Sequence, residues 1–285
     1  MRRLFSPPSQ PASYLDQYIA IRDKKHQPVR GQLTAIHPLI ARRYLNYEDA
    51  LERRALNLMK CDPAAIAQAD ILRSCYNGTT KALKALKERI RAAQPERLLK
   101  YCPMCGTTLP GTYDHYLPAV DFPELSVHPM NLVPCCGTCN SKKDDYWISD
   151  RERLFLHAYT DEIPDQQFLY VELIEVMGLR SVGANFRLIR PDDLSDQVWS
   201  LIDKHFHRLE LLKRYDERGN DEIAEIIADC RSYIQESGHD PRNFLQSRAR
   251  DRALVYGRNH WIAVLMNAMA VHAGLPTWVA RVPRQ

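Results

Sequence analysis

The chain has 285 residues, 45% of them apolar, which suits one core domain with helical additions, and its eight cysteines lack disulfide-framework spacing, which points to a reducing cytoplasm. No apolar run is long enough to span a bilayer and the N-terminal stretch lacks a signal-peptide core, so membrane and secreted classes are set aside. The net charge of +4 hides an asymmetry: residues 1–143 carry 21 Lys and Arg against 12 Asp and Glu, residues 144–240 carry 11 against 22, and residues 241–285 carry 7 against 1, so a polyanion should meet the first and last segments.

Residues 6–13, SPPSQPAS, predict an extended and disordered leader. From about residue 37 the apolar spacing turns helical, with Leu51, Ala55 and Leu58 at i, i+4 and i+7. Asp62-Pro63 is an N-cap followed by a proline suited to a first helical turn, and predicts a helix to about Tyr76. Asn77-Gly78 is a turn. A further helix over about 80–94 carries Leu83, Leu86 and Ile90 on one side and stops before Pro95. Segment 81–100 holds seven basic residues against Glu88 and Glu96, so Lys84, Lys87 and Arg91 are candidate contacts to a nucleic-acid backbone. A merely solvated face fits the same pattern.

The most specific stretch is 101–147, where Cys102/Cys105 and Cys136/Cys139 form two Cys-x-x-C turns around Asp114-His115, with Asn131 and Asn140 following. Two such turns complete the tetrahedral sulfur shell of a structural zinc ion. They are separated by residues 106–135, longer than a simple zinc ribbon, so something is inserted between them. Cys135 leaves the second turn ambiguous, and the x-x spacing favours Cys136. This stretch resembles the HNH nucleases, whose ββα-metal core is often framed by four zinc-binding cysteines; the Cys139-Asn140 pair with Lys143 repeats the family's helix ending. The resemblance covers about residues 99–147.

The residue types suit phosphodiester hydrolysis, which needs a base for the attacking water and a cation for the developing charge. His115 is assigned as the base, since a neutral imidazole accepts a proton near pH 7. Asp114 and the side-chain carbonyl of Asn140 are oxygen donors for magnesium or manganese. Strand alternation would point Asp114 and His115 to opposite sides unless the strand ends there, and Pro118 is placed to end it. The resemblance implies a scaffold role for Asn131, pinning the loop that holds the base. Lys142 and Lys143 are candidate phosphate contacts. His128 is expected to be a loop histidine without a role.

Beyond the core, 154–159 is a short apolar piece, and 168–173 and 186–189 predict a hairpin turning through Gly178–Gly183. Val198, Ile202, His205, Leu209 and Leu212 form one helical stripe, with His205 packed in it, and Ile223, Ile226, Ile227, Cys230 and Ile234 a second. Asp240-Pro241 opens a helix to about Gly257. The last helix, about 259–273, is apolar all round and is expected to be buried.

Together these readings predict an α+β, mostly helical protein: a helical region 1–98, a zinc-framed HNH core 99–150, short strands packing on the core over 151–190, and a helical region 191–285. The expected activity is a magnesium- or manganese-dependent endonuclease on double-stranded DNA with low sequence specificity, since no separate base-reading module is visible. The wording Asp-His-Tyr-Leu-Pro, Phe-Pro-Glu and Asn-Leu-Val-Pro also resembles bacterial antiphage HNH proteins of the Septu and retron type, which implies an ATPase partner. The alternatives are a non-catalytic zinc module that binds nucleic acid, a partner-docking subunit, and an HNH ribonuclease.

Overall fold

A computed structural model describes residues 2–78, 80–176 and 181–281. The protein is α+β and mostly helical, with small two-stranded antiparallel sheets. Its contacts divide it into two compact units. The first comprises Arg3–Met104 and Thr108–Glu162; the second runs from Ile163 onward and includes Arg2 and Cys105–Thr107. Among the described residues no helix is long and apolar enough to cross a membrane.

In the first unit the leader is extended but not disordered. Leu4 is buried, and Pro7 accepts a hydrogen bond from the Tyr14 hydroxyl at 2.7 Å. Helix α1 (Tyr14–Arg22) starts at a capping box in which the Ser13 hydroxyl accepts from the Asp16 amide and Asp16 accepts from the Ser13 amide. Helices α2 (Val29–Ala35) and α3 (His37–Glu52) follow. The expected Leu51–Ala55–Leu58 stripe is not one helix: α3 stops at Glu52, Arg54 takes a left-handed φ of 55°, and Leu58 is exposed on a 3-10 turn. The helix expected from Asp62 to Tyr76 is likewise two, α4 (Pro63–Ile66) and α5 (Ala69–Ser74). Asp62 caps the first as predicted, accepting from the Ala64 amide at 2.9 Å, but Gln68 leaves helical geometry. Helix α6 (Lys81–Ala92) buries Leu83, Leu86 and Ile90, as its spacing predicts.

Strand β1 (Thr112–His115) pairs with β2 (Leu132–Cys135), setting Asp114 opposite Val133 and His115 opposite Leu132. Helix α7 (Gly137–Lys143) follows directly, giving the β-β-α order. A two-residue ribbon of β3 (Ile148–Ser149) and β4 (Glu152–Arg153), invisible in the sequence pattern, leads to the 154–159 piece. That piece packs on the core, with the Tyr159 hydroxyl donating to the Leu132 carbonyl at 2.7 Å.

In the second unit, β5 (Leu169–Val176) and β6 (Ser181–Leu188) form the predicted hairpin, whose Gly178 lies outside the described residues. Helices α8 (Asp196–Arg208), α9 (Leu211–Ser237), α10 (Arg242–Tyr256), α11 (Trp261–Val271) and α12 (Leu275–Ala280) complete the unit. The stripe from Val198 to Leu212 is broken at Glu210, which adopts φ 51° between α8 and α9. His205 is buried, as expected of a packed residue.

The strands were expected to join the 99–150 core, but they pack on the C-terminal helices, β6 on α9 and β5 on α11. Gly219 on α9 permits this approach, because a Cβ there would lie 2.7 Å from the Ala184 side chain. The Asn259 side-chain Oδ1 accepts from the Phe168 and Leu169 amides at 2.8 and 3.0 Å, which satisfies the backbone at the start of β5. Helix α11 is buried on nearly every side, as its composition predicts.

Candidate metal centre and reaction cleft

Four thiols, Cys102, Cys105, Cys136 and Cys139, lie within 4.8 Å of one another and all are buried. The first turn closes through the Cys102 amide, which donates to the Thr108 carbonyl at 2.6 Å, and through Gly106 at φ 67°. The second turn is the start of α7: Cys136 is its N-cap and accepts from the Cys139 amide at 3.4 Å. The Cys136 amide in turn donates to the Cys102 sulfur at 3.3 Å. Such amide donors stabilise thiolates, and four converging soft donors fit a tetrahedral zinc ion.

The cluster contains Cys136 and not Cys135. The Cys135 sulfur lies 3.3 Å from the Thr112 hydroxyl, and burial pushes its thiol up to about 12, the protonated state of a packed side chain.

Beside this cluster the β-β-α unit forms one wall of a cleft of about 730 Å³. Asp114, His115 and Asn140 all line it. The alternation problem is resolved because β1 ends at His115, so the two side chains need not point to opposite faces of a continuing strand. The His115 Nε2–H donates to the Ser126 carbonyl at 2.8 Å, which assigns the lone pair to Nδ1. Nδ1 makes no hydrogen bond with the described residues. Burial pushes the ring's pKa down to about 4, with Lys143 and Lys87 acting in the same direction, so the imidazole is neutral at pH 7. Burial also raises the Asp114 carboxyl, and the Lys143 ammonium 3.1 Å away opposes that rise.

Asn131 is fully buried behind the cleft. Its side-chain Oδ1 accepts from the Leu117 amide at 2.8 Å, and its side-chain Nδ2 donates to the Leu117 and Leu125 carbonyls at 3.0 and 3.3 Å. It therefore fastens both ends of the loop 117–125, one residue before Ser126, and touches no solvent.

One expectation needs correction. Lys143 is not a surface phosphate contact: its side chain is completely buried between Asp114 and the His115 carbonyl. Lys142, Lys84 and Arg91 do not line the cleft, and Arg91 donates to the Pro110 carbonyl at 3.2 Å. Lys87 does line it. His128 lies in a loop, as expected, and is buried there among the rings of Tyr14, Tyr44 and Tyr47.

Sequence reasoning missed Arg73 and Tyr76, which also line the cleft, and Asp144 and Asp145 after α7. The two acids follow the motif directly and were legible as neighbours; Arg73 and Tyr76 carry no local signal.

No family model matches the sequence, and no solved structure matches it. The chain is similar to protein ea31 of Escherichia phage lambda, with 30% identity over 148 residues, covering 47% of this chain and 46% of that protein. The chain thus spans just under half the length of this curated relative.

Proposed function

We propose that this protein is a metal-dependent endonuclease of the HNH type, hydrolysing phosphodiester bonds in DNA with low sequence specificity. The observation that carries the reading is His115: its Nε2–H is held by the Ser126 carbonyl, which leaves Nδ1 unprotonated, and the residue lines a cleft together with Asp114 and Asn140. A ring held this way presents a base in one tautomer and one orientation.

Asp114 and Asn140 are the donors that would hold a magnesium or manganese ion, which supplies charge stabilisation at the phosphate and the departing oxygen. They fit that task because both offer hard oxygen atoms to the cleft, and the Asn140 side chain makes no hydrogen bond with the described residues. His115 Nδ1 takes a proton from the attacking water as the new P–O bond forms and the bond to the leaving sugar oxygen breaks. Asn131 contributes by holding the 117–125 loop, from which Ser126 follows. The four thiols would hold zinc as a brace for α7.

Incubating the full chain with supercoiled plasmid tests the reading. Nicking that needs magnesium or manganese, stops with chelator and is lost in His115→Ala supports it. A folded, zinc-loaded protein that leaves plasmid intact but cleaves transfer RNA would be a ribonuclease; one inert on both would be a binding module. In the wider reading the protein is the nuclease of a bacterial antiphage pair, working in the cytoplasm with an ATPase. An unchanged loss of phage growth on Asp114→Ala, with the partner still bound, would remove the nuclease from that account.

A further inference from the structure

We propose that Lys87, on α6 outside the β-β-α unit, grips a non-bridging oxygen of the phosphodiester being cleaved. The inference rests on the nuclease reading above and adds to it a phosphate-binding residue supplied by the N-terminal helices.

The charges lining the cleft make the case. Asp144 and Asp145 lie on the side of the β-β-α unit and are acidic groups that an incoming phosphodiester would meet. The Lys143 cation is already matched to Asp114 at 3.1 Å and is completely buried. Two other cations line the cleft, Arg73 and Lys87. Arg73 is bonded to Asp70 at 3.0 Å. Lys87 has no carboxylate partner among the described residues.

Its position is fixed rather than floating. The ammonium sits 4.2 Å from the centroid of the Tyr76 ring and 5.4 Å from that of Tyr113, and the Tyr113 hydroxyl donates to the Lys87 carbonyl at 2.8 Å. The Tyr76 ring in turn meets the His115 ring edge-on, centroids 4.5 Å apart. A cation held on aromatic faces keeps its charge but loses part of its hydration shell, so less water is displaced when an anion arrives. Through Tyr76 it is placed one ring away from the base. Lys84 and Arg91, on the same helix, lack this placement, so a basic helix face does not account for Lys87.

Two measurements on the full chain test the proposal. The first is plasmid nicking with magnesium: Lys87→Gln is expected to slow it by roughly a hundredfold, the loss typical of one donor aimed at developing charge, and Lys87→Arg to recover most of the rate. The second is binding of a fluorescein-labelled DNA duplex without divalent ions, followed by anisotropy against salt. There Lys87→Gln should lower the slope of log K against log salt by about one contact. Should Lys87→Gln lower the melting temperature, Lys87→Met, which keeps the stem on the Tyr76 ring, takes its place. Nicking within twofold of the parent, or an unchanged salt slope, overturns the proposal. If the parent chain does not nick at all, the nuclease reading fails while the salt slope still decides whether Lys87 contacts phosphate.

Discussion

The Lys143 ammonium lies 3.1 Å from Asp114 Oδ1 and donates to the His115 carbonyl at 2.8 Å, so the last residue of α7 fastens both residues of the Asp-His pair on β1. Both side chains of the ion pair are buried. Removing one partner of such a pair strands a charge in a poorly solvated place. Lys143→Met is therefore expected to destabilise the first unit by about 3–5 kcal/mol, read from denaturant unfolding. A surface lysine would cost less than about 0.5 kcal/mol, and a value that small would dismiss the structural role.

Cys135 and Cys136 are adjacent in sequence and differ in what surrounds their sulfur. Cys136→Ser should abolish bound zinc, measured on the purified protein by metal analysis, whereas Cys135→Ser should leave it in place. The reverse pattern would move the ligand by one residue and misplace the start of α7 as a metal turn.

Asn131→Ala would leave the Leu117 amide and the Leu117 carbonyl without partners in a site closed to water, while the Leu125 carbonyl keeps the His128 amide. The expected cost is about 2–6 kcal/mol, since each of the two buried orphans costs about 1–3 kcal/mol. The nicking rate should fall with it, because Ser126, the acceptor for His115, follows the loop that Asn131 fastens. Retained stability with lost nicking would instead give Asn131 a direct chemical role.

The acid limb of the pH–rate profile offers a check on the base. Burial holds His115 near 4, below the ordinary 6.5, so Nδ1 stays unprotonated as pH falls through 6.5 and nicking should not decline with an apparent pKa of that value. The same depression has a stability consequence. The folded chain binds fewer protons than the unfolded one between about 4 and 6.5, so this contribution is complete above 6.5 and is lost as pH falls towards 4. His157, also buried and near 4, acts in the same sense. Unfolding free energy that is flat over that window, measured at fixed zinc, would contradict both.

The four thiols and the hairpin were legible because each is written in short-range spacing, Cys-x-x-C turns and apolar strand segments, whereas the β-β-α order was expected only from the resemblance to the HNH pattern. The helix breaks at Arg54 and Glu210 were not, since both are left-handed positions filled by ordinary residues where glycine would have signalled the turn. The burial of Lys143 was hidden for another reason. A lysine following another lysine reads as solvated, and its partner Asp114 lies on β1, across the unit from α7. Tyr76 and Lys87 come from separate segments, and no periodicity links either to His115.

Cys136 holds two posts at once: it is a member of the sulfur cluster and the residue on which α7 begins. Asn140 stands four residues along, about one helical turn, so the cluster sets the rotational phase at which that amide meets the cleft. On the proposed nuclease reading, an agent that strips an ion from the sulfurs would silence cleavage from a distance, and a surplus of magnesium would not restore it, because the residue proposed to hold that magnesium would have lost its bearing.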